Sequence, residues 1–222
     1  MKIFVDTANL TDIQEALRRG FPAGVTTNPT LIAREDKGDL HDRIRDIVAL
    51  LRADGRGLPL SVEVFSSTPE EMIRQAESFV ALCEYPALNV KIPIGWDELA
   101  VIAELKKRGI AVNCTCCMSF SQAMLAARAG ADYVSLFWGR IRDGGSDAAT
   151  IVRQVRGAFE QSGIASQIIV GSIRQVEDIT DASLAGAHIV TVPPKFFRAL
   201  VSHPKTDEVV AQFLADFEAW AR

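Results

Sequence analysis

The sequence predicts an α/β fold in which eight parallel strands alternate with eight helices and close into a barrel, followed by one extra helix. The 222 residues are 48% hydrophobic and 23% charged, a composition typical of a globular domain with a large core. Short apolar runs alternate with helix-like segments along the chain, which indicates a parallel sheet covered by helices. Eight strands are the number that closes a (β/α)8 TIM barrel. We therefore expect one domain over residues 1–222.

The predicted strands are short runs rich in Val, Ile and Leu that end at turn residues. They are Ile3–Asp6, Gly24–Asn28, Leu60–Phe65, Leu88–Ile92, Ala111–Cys116, Tyr133–Phe137, Gln167–Gly171 and His188–Val192. The predicted helices between them have apolar residues at helical spacing. They are Leu10–Arg19, Leu40–Arg52, Pro69–Leu82, Trp96–Lys107, Ser121–Ala129, Ala148–Glu160, Arg174–Ala182 and Pro194–Leu200.

Residues 204–222 are not needed to complete the barrel and are predicted to form a C-terminal helix. The pattern indicates a helix over Thr206–Ala221 with a threonine cap. One face is apolar, with Val209, Val210, Phe213, Leu214, Phe217 and Trp220. This face packs either across the outer surface of its own barrel or on a neighbouring subunit.

Charge and patterning exclude several classes of partner. The net charge is −4 without a basic run, which argues against a nucleic-acid groove or an anionic membrane surface. No run reaches the ~18 apolar residues of a membrane span, and the first residues, MKIFVDTANL, lack the pattern of a signal peptide. We therefore expect a cytoplasmic protein with reduced thiols.

Lys91 is the strongest candidate for chemistry. Of the seven lysines, it alone lies late in an apolar strand, ALNVKIP, where active-site side chains of barrels are found. Its phase points Asn89 and Pro93 the same way and Val90 and Ile92 toward the helices. Burial disfavours the ammonium form and makes neutral amine available for a Schiff base with a carbonyl. The alternative is a structural lysine paired with a carboxylate or phosphate.

Two carboxylates have matching positions, at the ends of the first and third predicted strands. Asp6 ends the first predicted strand, and Glu63 points inward between Val62 and Val64. Cleavage of a carbon–carbon bond through an iminium needs a group that takes and returns a hydroxyl proton. Either carboxylate fits that role, and the alternative for each is compensation of the lysine charge.

Other polar side chains are predicted at the same end of the barrel. The inward polar set is Thr26, Asn28, Asn113, Thr115 and Ser135, and the aromatic Phe137 has the same phase as Ser135. Ser172 follows a strand end and Arg174 is predicted at the start of a helix, where backbone N–H groups, a hydroxyl and a guanidinium suit an anion. Arg140 follows the adjacent predicted strand, Tyr133–Phe137, and is expected to bind the same anion from that side. The alternative for each arginine is a surface salt bridge.

The cysteine cluster C-x-C-C, Cys114, Cys116 and Cys117, has no second pair with zinc spacing. Since adjacent strand residues face opposite ways, the three thiols are not expected to converge. Cys114 and Cys116 are predicted to face the helices as small apolar residues. We expect no metal site.

Taken together, these residues resemble the transaldolases, in particular the small subfamily that includes the fructose-6-phosphate aldolases. The resemblance covers the whole chain in order. It rests on the segments FVDTAN, GVTTNPT, SVEV, NVKIP, the N-x-T-x-x-x-S that begins at Asn113, LFWGRI and GSIR.

The resemblance implies a role for each candidate residue. Lys91 would form the Schiff base, Asp6 would do general acid–base work, and Glu63 would act on a catalytic water that Thr115 helps to hold. The remaining residues would bind the substrate: Thr26 and Asn28 its hydroxyls, Arg140, Ser172 and Arg174 its phosphate, with Asn113, Ser135 and Phe137 in the same pocket. No cofactor or metal is implied, because the protonated imine is the electron sink.

Two positions distinguish the activities within this family. Relatives that are aldolases typically have Gln where Glu63 stands and Tyr where Phe137 stands, so this chain resembles the transaldolases at both. Two departures, the cysteine-rich NCTCCMS and Gly95-Trp96 after KIPI, leave a specialised biosynthetic transaldolase open.

The leading hypothesis is a transaldolase of the pentose phosphate pathway that moves a dihydroxyacetone unit between phosphorylated sugars. Sedoheptulose 7-phosphate with glyceraldehyde 3-phosphate is the expected pair of donor and acceptor, and fructose 6-phosphate is the other candidate donor to an aldose phosphate. The alternatives are a fructose-6-phosphate aldolase that releases dihydroxyacetone, a phosphosugar isomerase and a non-catalytic phosphosugar-binding barrel. The resemblance also implies a homo-oligomer, a pentamer or decamer, with the C-terminal helix in subunit contacts.

Overall fold

The computed structural model describes residues 1–221 and confirms the predicted barrel. Its eight strands are all parallel, each pairs with the next in sequence, and β8 pairs with β1 to close the sheet. The strands are β1 Lys2–Asp6, β2 Val25–Thr26, β3 Leu60–Glu63, β4 Leu88–Pro93, β5 Val112–Cys117, β6 Tyr133–Phe137, β7 Gln167–Gly171 and β8 Ile189–Val192.

The predicted helices are present, with ends that differ by one or two residues in most cases. They are α1 Leu10–Arg18, α2 Pro29–Ile32, α3 Leu40–Asp54, α4 Pro69–Cys83, α5 Trp96–Lys107, α6 Phe120–Ala129, α7 Trp138–Asp143, α8 Ala148–Gln161, α9 Val176–Leu184, α10 Phe197–Val201 and α11 Pro204–Trp220. The short helices α2 and α7 were not predicted. The segment predicted as Pro194–Leu200 is divided into a 3₁₀ turn, Pro194–Phe196, and α10.

The apolar core has two parts, and the smaller one determines where the site lies. Most buried apolar side chains fill the layer between the sheet and the helices. Inside the barrel, Phe4, Ile169 and Ile189 pack together near the amino ends of the strands. Gly24 makes room for them, because a Cβ there would lie 2.6 Å from the Phe4 ring. The barrel interior is thus closed by hydrocarbon at one end, and the polar inward residues lie toward the other.

The C-terminal helix α11 begins two residues earlier than predicted, and its cap is not Thr206. The cap is His203, whose Nδ1 accepts from the Lys205 N–H at 3.1 Å, and Pro204 occupies the first turn, where its missing N–H costs nothing. The apolar face does not pack on its own barrel, since residues 201–221 are all exposed. Within residues 1–221, no helix is long and apolar enough to cross a membrane.

Candidate active site

Lys91 and Glu63 form a buried ion pair inside the barrel. They are direct neighbours in the register of β3 and β4, and Lys91 Nζ lies 2.8 Å from Glu63 Oε2. The amine also donates to the Thr27 carbonyl at 2.8 Å. Only 6% of the lysine side chain and 14% of the glutamate are exposed. Both side chains point inward as the strand phase predicts, while Val62 and Val90 pack in the outer core.

Asp6 lies at the end of β1, next to this pair. Thr26 Oγ1 donates to its Oδ1 at 2.8 Å. Burial raises the pKa of Asp6 above its ordinary value, while the charge of Lys91 and the bond from Thr26 oppose the rise and the charge of Glu63 adds to it. A carboxyl group with a raised pKa takes up a proton more readily, which suits a group that takes and returns one.

Thr191 of β8 belongs to the same cluster and was missed from the sequence. Its hydroxyl lies 2.5 Å from that of Thr26, and the residue is 5% exposed. The signal was available: Thr191 has the inward phase of Ile189 and is the one polar residue of β8.

Asn113 and Ser135 are together, but their side chains bind each other. Ser135 Oγ donates to Asn113 Oδ1 at 2.7 Å, and Asn113 Nδ2 donates to Ser61 Oγ at 3.1 Å. Both ends of the Asn113 amide are therefore used within the barrel wall. Thr115 differs: its Oγ1 is the one buried side-chain nitrogen or oxygen in residues 1–221 that has no hydrogen-bond partner.

The strand that carries Thr115 is bulged, which makes the prediction for one cysteine, Cys116, wrong. Cys114 pairs with Val134 and Cys117 with Leu136, so two residues, Thr115 and Cys116, stand opposite one. Cys116 has a φ of 61°, which breaks the alternation of an ordinary strand.

The consequences of the bulge are specific. Cys114 faces the helices as predicted and shares the outer core with Cys117, with their sulfur atoms 3.9 Å apart. Cys116 does not face the helices: it is partly exposed, and burial and the charge of Glu63 raise the pKa of its thiol while Lys91 opposes them. In residues 1–221, no three His, Cys, Asp or Glu side chains form a group that suits a metal ion.

Asn28 and Phe137 both lie where a strand passes into a short helix. Asn28 Oδ1 accepts from the Leu31 N–H at 2.9 Å and caps α2, which leaves its NH₂ group for a ligand. Phe137 is the last residue of β6 and precedes α7. Its ring is partly exposed.

Ser172 and Arg174 approach each other beside Gly139. The Gly139 N–H donates to the Ser172 carbonyl at 3.1 Å. A Cβ at position 139 would lie 3.0 Å from Ser172 Oγ and 2.6 Å from Arg174 Nε. Ser172 has a φ of 58°, a conformation that is uncommon for a residue with a side chain. Arg140 is exposed and has no ion-pair partner in the described part of the chain.

The helix prediction for Arg174 is wrong, and the reason is Asp178. Helix α9 begins at Val176, and the N–H groups of Arg174 and Gln175 are already bonded to Asp178 Oδ2 at 2.9 and 3.2 Å. They are not available to an anion. Asp178 is fully buried and also accepts from Trp138 Nε1 at 3.2 Å and Arg142 Nη1 at 2.6 Å. It therefore joins α7 to the loop that carries Ser172 and Arg174.

The Arg174 guanidinium is held by Asp143, which sequence reasoning did not identify. Nη1 donates to Asp143 Oδ1 at 2.8 Å, and Nη2 donates to the second carboxylate oxygen. Half of each side chain is exposed. This fork-to-fork pair leaves Nε–H and the outer N–H bonds of the guanidinium for another acceptor.

Comparisons with known proteins give one family. A family model described as Transaldolase/Fructose-6-phosphate aldolase matches residues 3–222. A probable transaldolase of Alkaliphilus metalliredigens is 42% identical over 218 residues, 98% of each chain. A probable transaldolase 1 of Listeria monocytogenes is 44% identical over 219 residues, 99% of each chain. A probable transaldolase of Carboxydothermus hydrogenoformans is 41% identical over 222 residues, the whole of both chains.

Proposed function

The chain belongs to the transaldolase/fructose-6-phosphate aldolase family, and from this premise we propose that it is a transaldolase. It would transfer a dihydroxyacetone unit from sedoheptulose 7-phosphate or fructose 6-phosphate to an aldose phosphate through a Schiff base on Lys91. The observation that carries the proposal is the buried Lys91 amine, 2.8 Å from Glu63 Oε2.

The first stage is attack of the amine on the ketone. Glu63 lies close enough to accept a proton from the ammonium group of Lys91 and free its lone pair. Addition gives a carbinolamine, and loss of water gives an iminium ion. Thr115, whose buried hydroxyl has no protein partner, would hold that water or the one that shuttles its proton.

The second stage is cleavage of the C3–C4 bond. Asp6 takes the proton of the C4 hydroxyl, the C4 oxygen becomes the aldehyde of the departing aldose, and the bonding electrons move into the iminium to form an enamine. The raised pKa of Asp6 favours proton uptake at this step. Addition of the enamine to a second aldehyde and hydrolysis of the new iminium complete the transfer.

The sugar phosphate would bind at the rim of the barrel. The Ser172 hydroxyl and the Nε–H of the Arg174 guanidinium converge beside Gly139. The side chain of Arg140, which has no ion-pair partner among the described residues, is available to join them. The hydroxyls of the sugar would contact Thr26 and the free NH₂ group of Asn28, with Asn113 and Ser135 shaping the wall of the pocket.

Borohydride trapping tests the chemistry. In the presence of fructose 6-phosphate, reduction should add a dihydroxyacetone-derived mass to the peptide that contains Lys91. Lys106, which pairs with Asp132 at 2.5 Å at the other end of the barrel, should stay unmodified. An isomerase or a binding protein would give no adduct on Lys91, and that result would refute the proposal.

The fate of the enamine separates the transferase from the lyase. Phe137 offers an aromatic ring without a proton donor, so the enamine should persist until an aldehyde arrives. We expect Phe137→Tyr to raise the release of free dihydroxyacetone relative to transfer several-fold, and Glu63→Gln combined with it to raise the release further, without simple additivity. The assay is dihydroxyacetone formation from fructose 6-phosphate without acceptor. An unchanged ratio in folded variants would remove this reason for preferring a transaldolase over an aldolase.

We further propose that α11 contacts a second copy of the chain in a homo-oligomer, a pentamer or decamer. Its large apolar side chains are 45–81% exposed and form one continuous face, which is costly to leave in water. Sedimentation of the intact protein tests this. Phe213→Glu combined with Phe217→Glu should give monomers, and an unchanged mass would contradict the contact.

A further inference from the structure

Two threonine hydroxyls connect β8 to the carboxylate of Asp6. Thr26 Oγ1 lies 2.8 Å from Asp6 Oδ1 and 2.5 Å from Thr191 Oγ1. Both threonines are buried, with 2% and 5% exposed. The three side chains thus form a chain that crosses from β8 over β2 to β1, on the inside of the barrel.

The direction of each hydrogen bond follows from counting hydrogens. A hydroxyl has one hydrogen, and an ionised carboxylate can only accept. Thr26 therefore gives its hydrogen to Asp6, and the hydrogen between the two threonines must come from Thr191. A donated hydrogen polarises the receiving hydroxyl and strengthens the bond that this hydroxyl donates in turn.

We propose that Thr191 is a positioning residue of the reaction, which acts on Asp6 through Thr26 by orienting the Thr26 hydroxyl toward the carboxylate. The inference rests on the proposed function, in which Asp6 exchanges a proton with the substrate. Thr191 itself need not touch the sugar.

Few other groups compete with the hydrogen bond from Thr26 in stabilising the ionised form of Asp6. Its charged neighbours among the described residues are Lys91 of β4 and Glu63 of β3, which act in opposite directions. On the other side of β1, β8 offers only the apolar residues Ile189, Val190 and Val192 besides Thr191. The two threonine hydroxyls therefore provide the polar link between β8 and the carboxylate of Asp6.

Matched substitutions separate the effect of the Thr191 hydroxyl from the effect of the side-chain shape. Thr191→Val keeps the branched side chain and removes the donor, whereas Thr191→Ser keeps the donor. Ser166→Ala is the control, because its buried hydroxyl donates to the Ala131 carbonyl at 2.6 Å and contacts no site residue. Thr191→Ala replaces the valine variant if that variant does not fold.

The experiment is the pH dependence of kcat/KM for sedoheptulose 7-phosphate with glyceraldehyde 3-phosphate as the acceptor. In Thr191→Val, the hydrogen bond from Thr26 to Asp6 loses the cooperative strengthening that Thr191 supplies, roughly 10–30% of a charge-assisted bond. The pKa of Asp6 then rises, so the acid limb of the pH profile should move upward by roughly 0.1–0.7 pH unit. Thr191→Ser should restore the wild-type limb, and Ser166→Ala should leave it in place. An acid limb that does not move in the folded valine or alanine variant would overturn the proposal.

A second measurement is independent of activity. The Asp6 carboxyl carbon can be titrated by NMR in the substrate-free protein, where Thr191→Val should shift its midpoint upward. An unchanged midpoint overturns the proposal for Thr191. Failure to trap an adduct on Lys91 in the wild type, with a midpoint that does shift, would overturn the proposed function and leave the coupling of Thr191 to Asp6 intact.

Discussion

Two clusters of charged side chains in this barrel are organised in opposite ways. The inner cluster, Lys91, Glu63 and Asp6, lies on three strands inside the barrel, and its ion pair is 6% and 14% exposed. The rim cluster, Arg174 with Asp143, lies on a loop and a short helix, and its ion pair is 50% and 48% exposed. Both hold a cation against a carboxylate, but one does so in the core and the other in water.

The difference assigns different tasks to the two clusters. A buried pair costs desolvation that only good geometry and further hydrogen bonds repay, and the amine of Lys91 is the group on which we propose that the Schiff base forms. An exposed pair contributes little to stability, ~0–1 kcal/mol, and here it leaves part of the Arg174 guanidinium open to a second anion. The inner cluster therefore suits bond making, and the rim cluster suits reversible binding of a phosphate.

The largest effect is expected from Lys91→Ala. It removes the nucleophile, so transaldolase turnover should fall by on the order of 10³-fold or more, while circular dichroism still shows a folded barrel. Lys106→Ala, which removes an exposed lysine that is also paired with a carboxylate, should retain full activity. More than a few per cent of wild-type turnover in Lys91→Ala would exclude the Schiff base on this residue.

Asp6→Asn should lower activity and raise stability together. Loss of the acid–base group should lower kcat about 10²- to 10⁴-fold. Because the folded protein raises the pKa of Asp6, its contribution to stability is fully present below the unfolded pKa and is lost as the pH rises through the folded one.

Asparagine cannot ionise, so Asp6→Asn avoids the loss of stability that accompanies ionisation of Asp6. The Tm of the variant at pH 7 should therefore rise by a few degrees, since ~1 kcal/mol corresponds to about 2–4 °C. The gain in Tm should shrink below about pH 4, where the carboxyl is protonated in the unfolded chain as well. Asp54→Asn is the opposite control, because Arg56 lowers the pKa of Asp54, and its Tm at pH 7 should fall. A lower Tm for Asp6→Asn at pH 7 would contradict this account.

The inner cluster could be predicted from the sequence because regular strands alternate. In β3 and β4 every second residue points inward, so apolar neighbours such as Val62 and Val90 were sufficient to place Glu63 and Lys91. The same rule failed in β5, where the bulge puts Thr115 and Cys116 opposite one residue of β6. The segment NCTCCMS contains no sequence signal for the left-handed backbone conformation of Cys116. That conformation depends on how β5 pairs with β6.

Arg174 of the rim cluster was predicted from its residue type and its position after a strand end, but its partner was not. That partner is distant in sequence, because Asp143 contacts an arginine 31 residues later. The start of α9 is likewise set by Asp178, whose carboxylate accepts from the N–H groups that were predicted to bind an anion. Strand phase carries no information about such contacts between loops.

Arg174→Ala tests the binding task of the rim. A charge-assisted hydrogen bond contributes about 1.5–3 kcal/mol, so KM for phosphorylated sugars should rise roughly 10- to 100-fold with a smaller change in kcat. Unphosphorylated fructose provides the comparison, and its kcat/KM should change little. Arg156→Ala, which removes an arginine paired with Glu160 on α8, should leave both substrates unaffected. Equal losses for the two sugars would show that Arg174 does not bind phosphate.

The smallest expected effect concerns Asp143, which shares the Arg174 guanidinium with the proposed phosphate. Its carboxylate occupies the Nη1 and Nη2 face and repels a second anion nearby. Since the pair is half exposed, the repulsion is screened to about 0.5–1 kcal/mol. Asp143→Asn should therefore lower KM for fructose 6-phosphate roughly two- to five-fold, and the gain should vanish at high salt. A higher KM would mean that Asp143 serves to orient Arg174 and not to compete with the substrate, and the rim pair would then resemble the inner one in requiring its carboxylate.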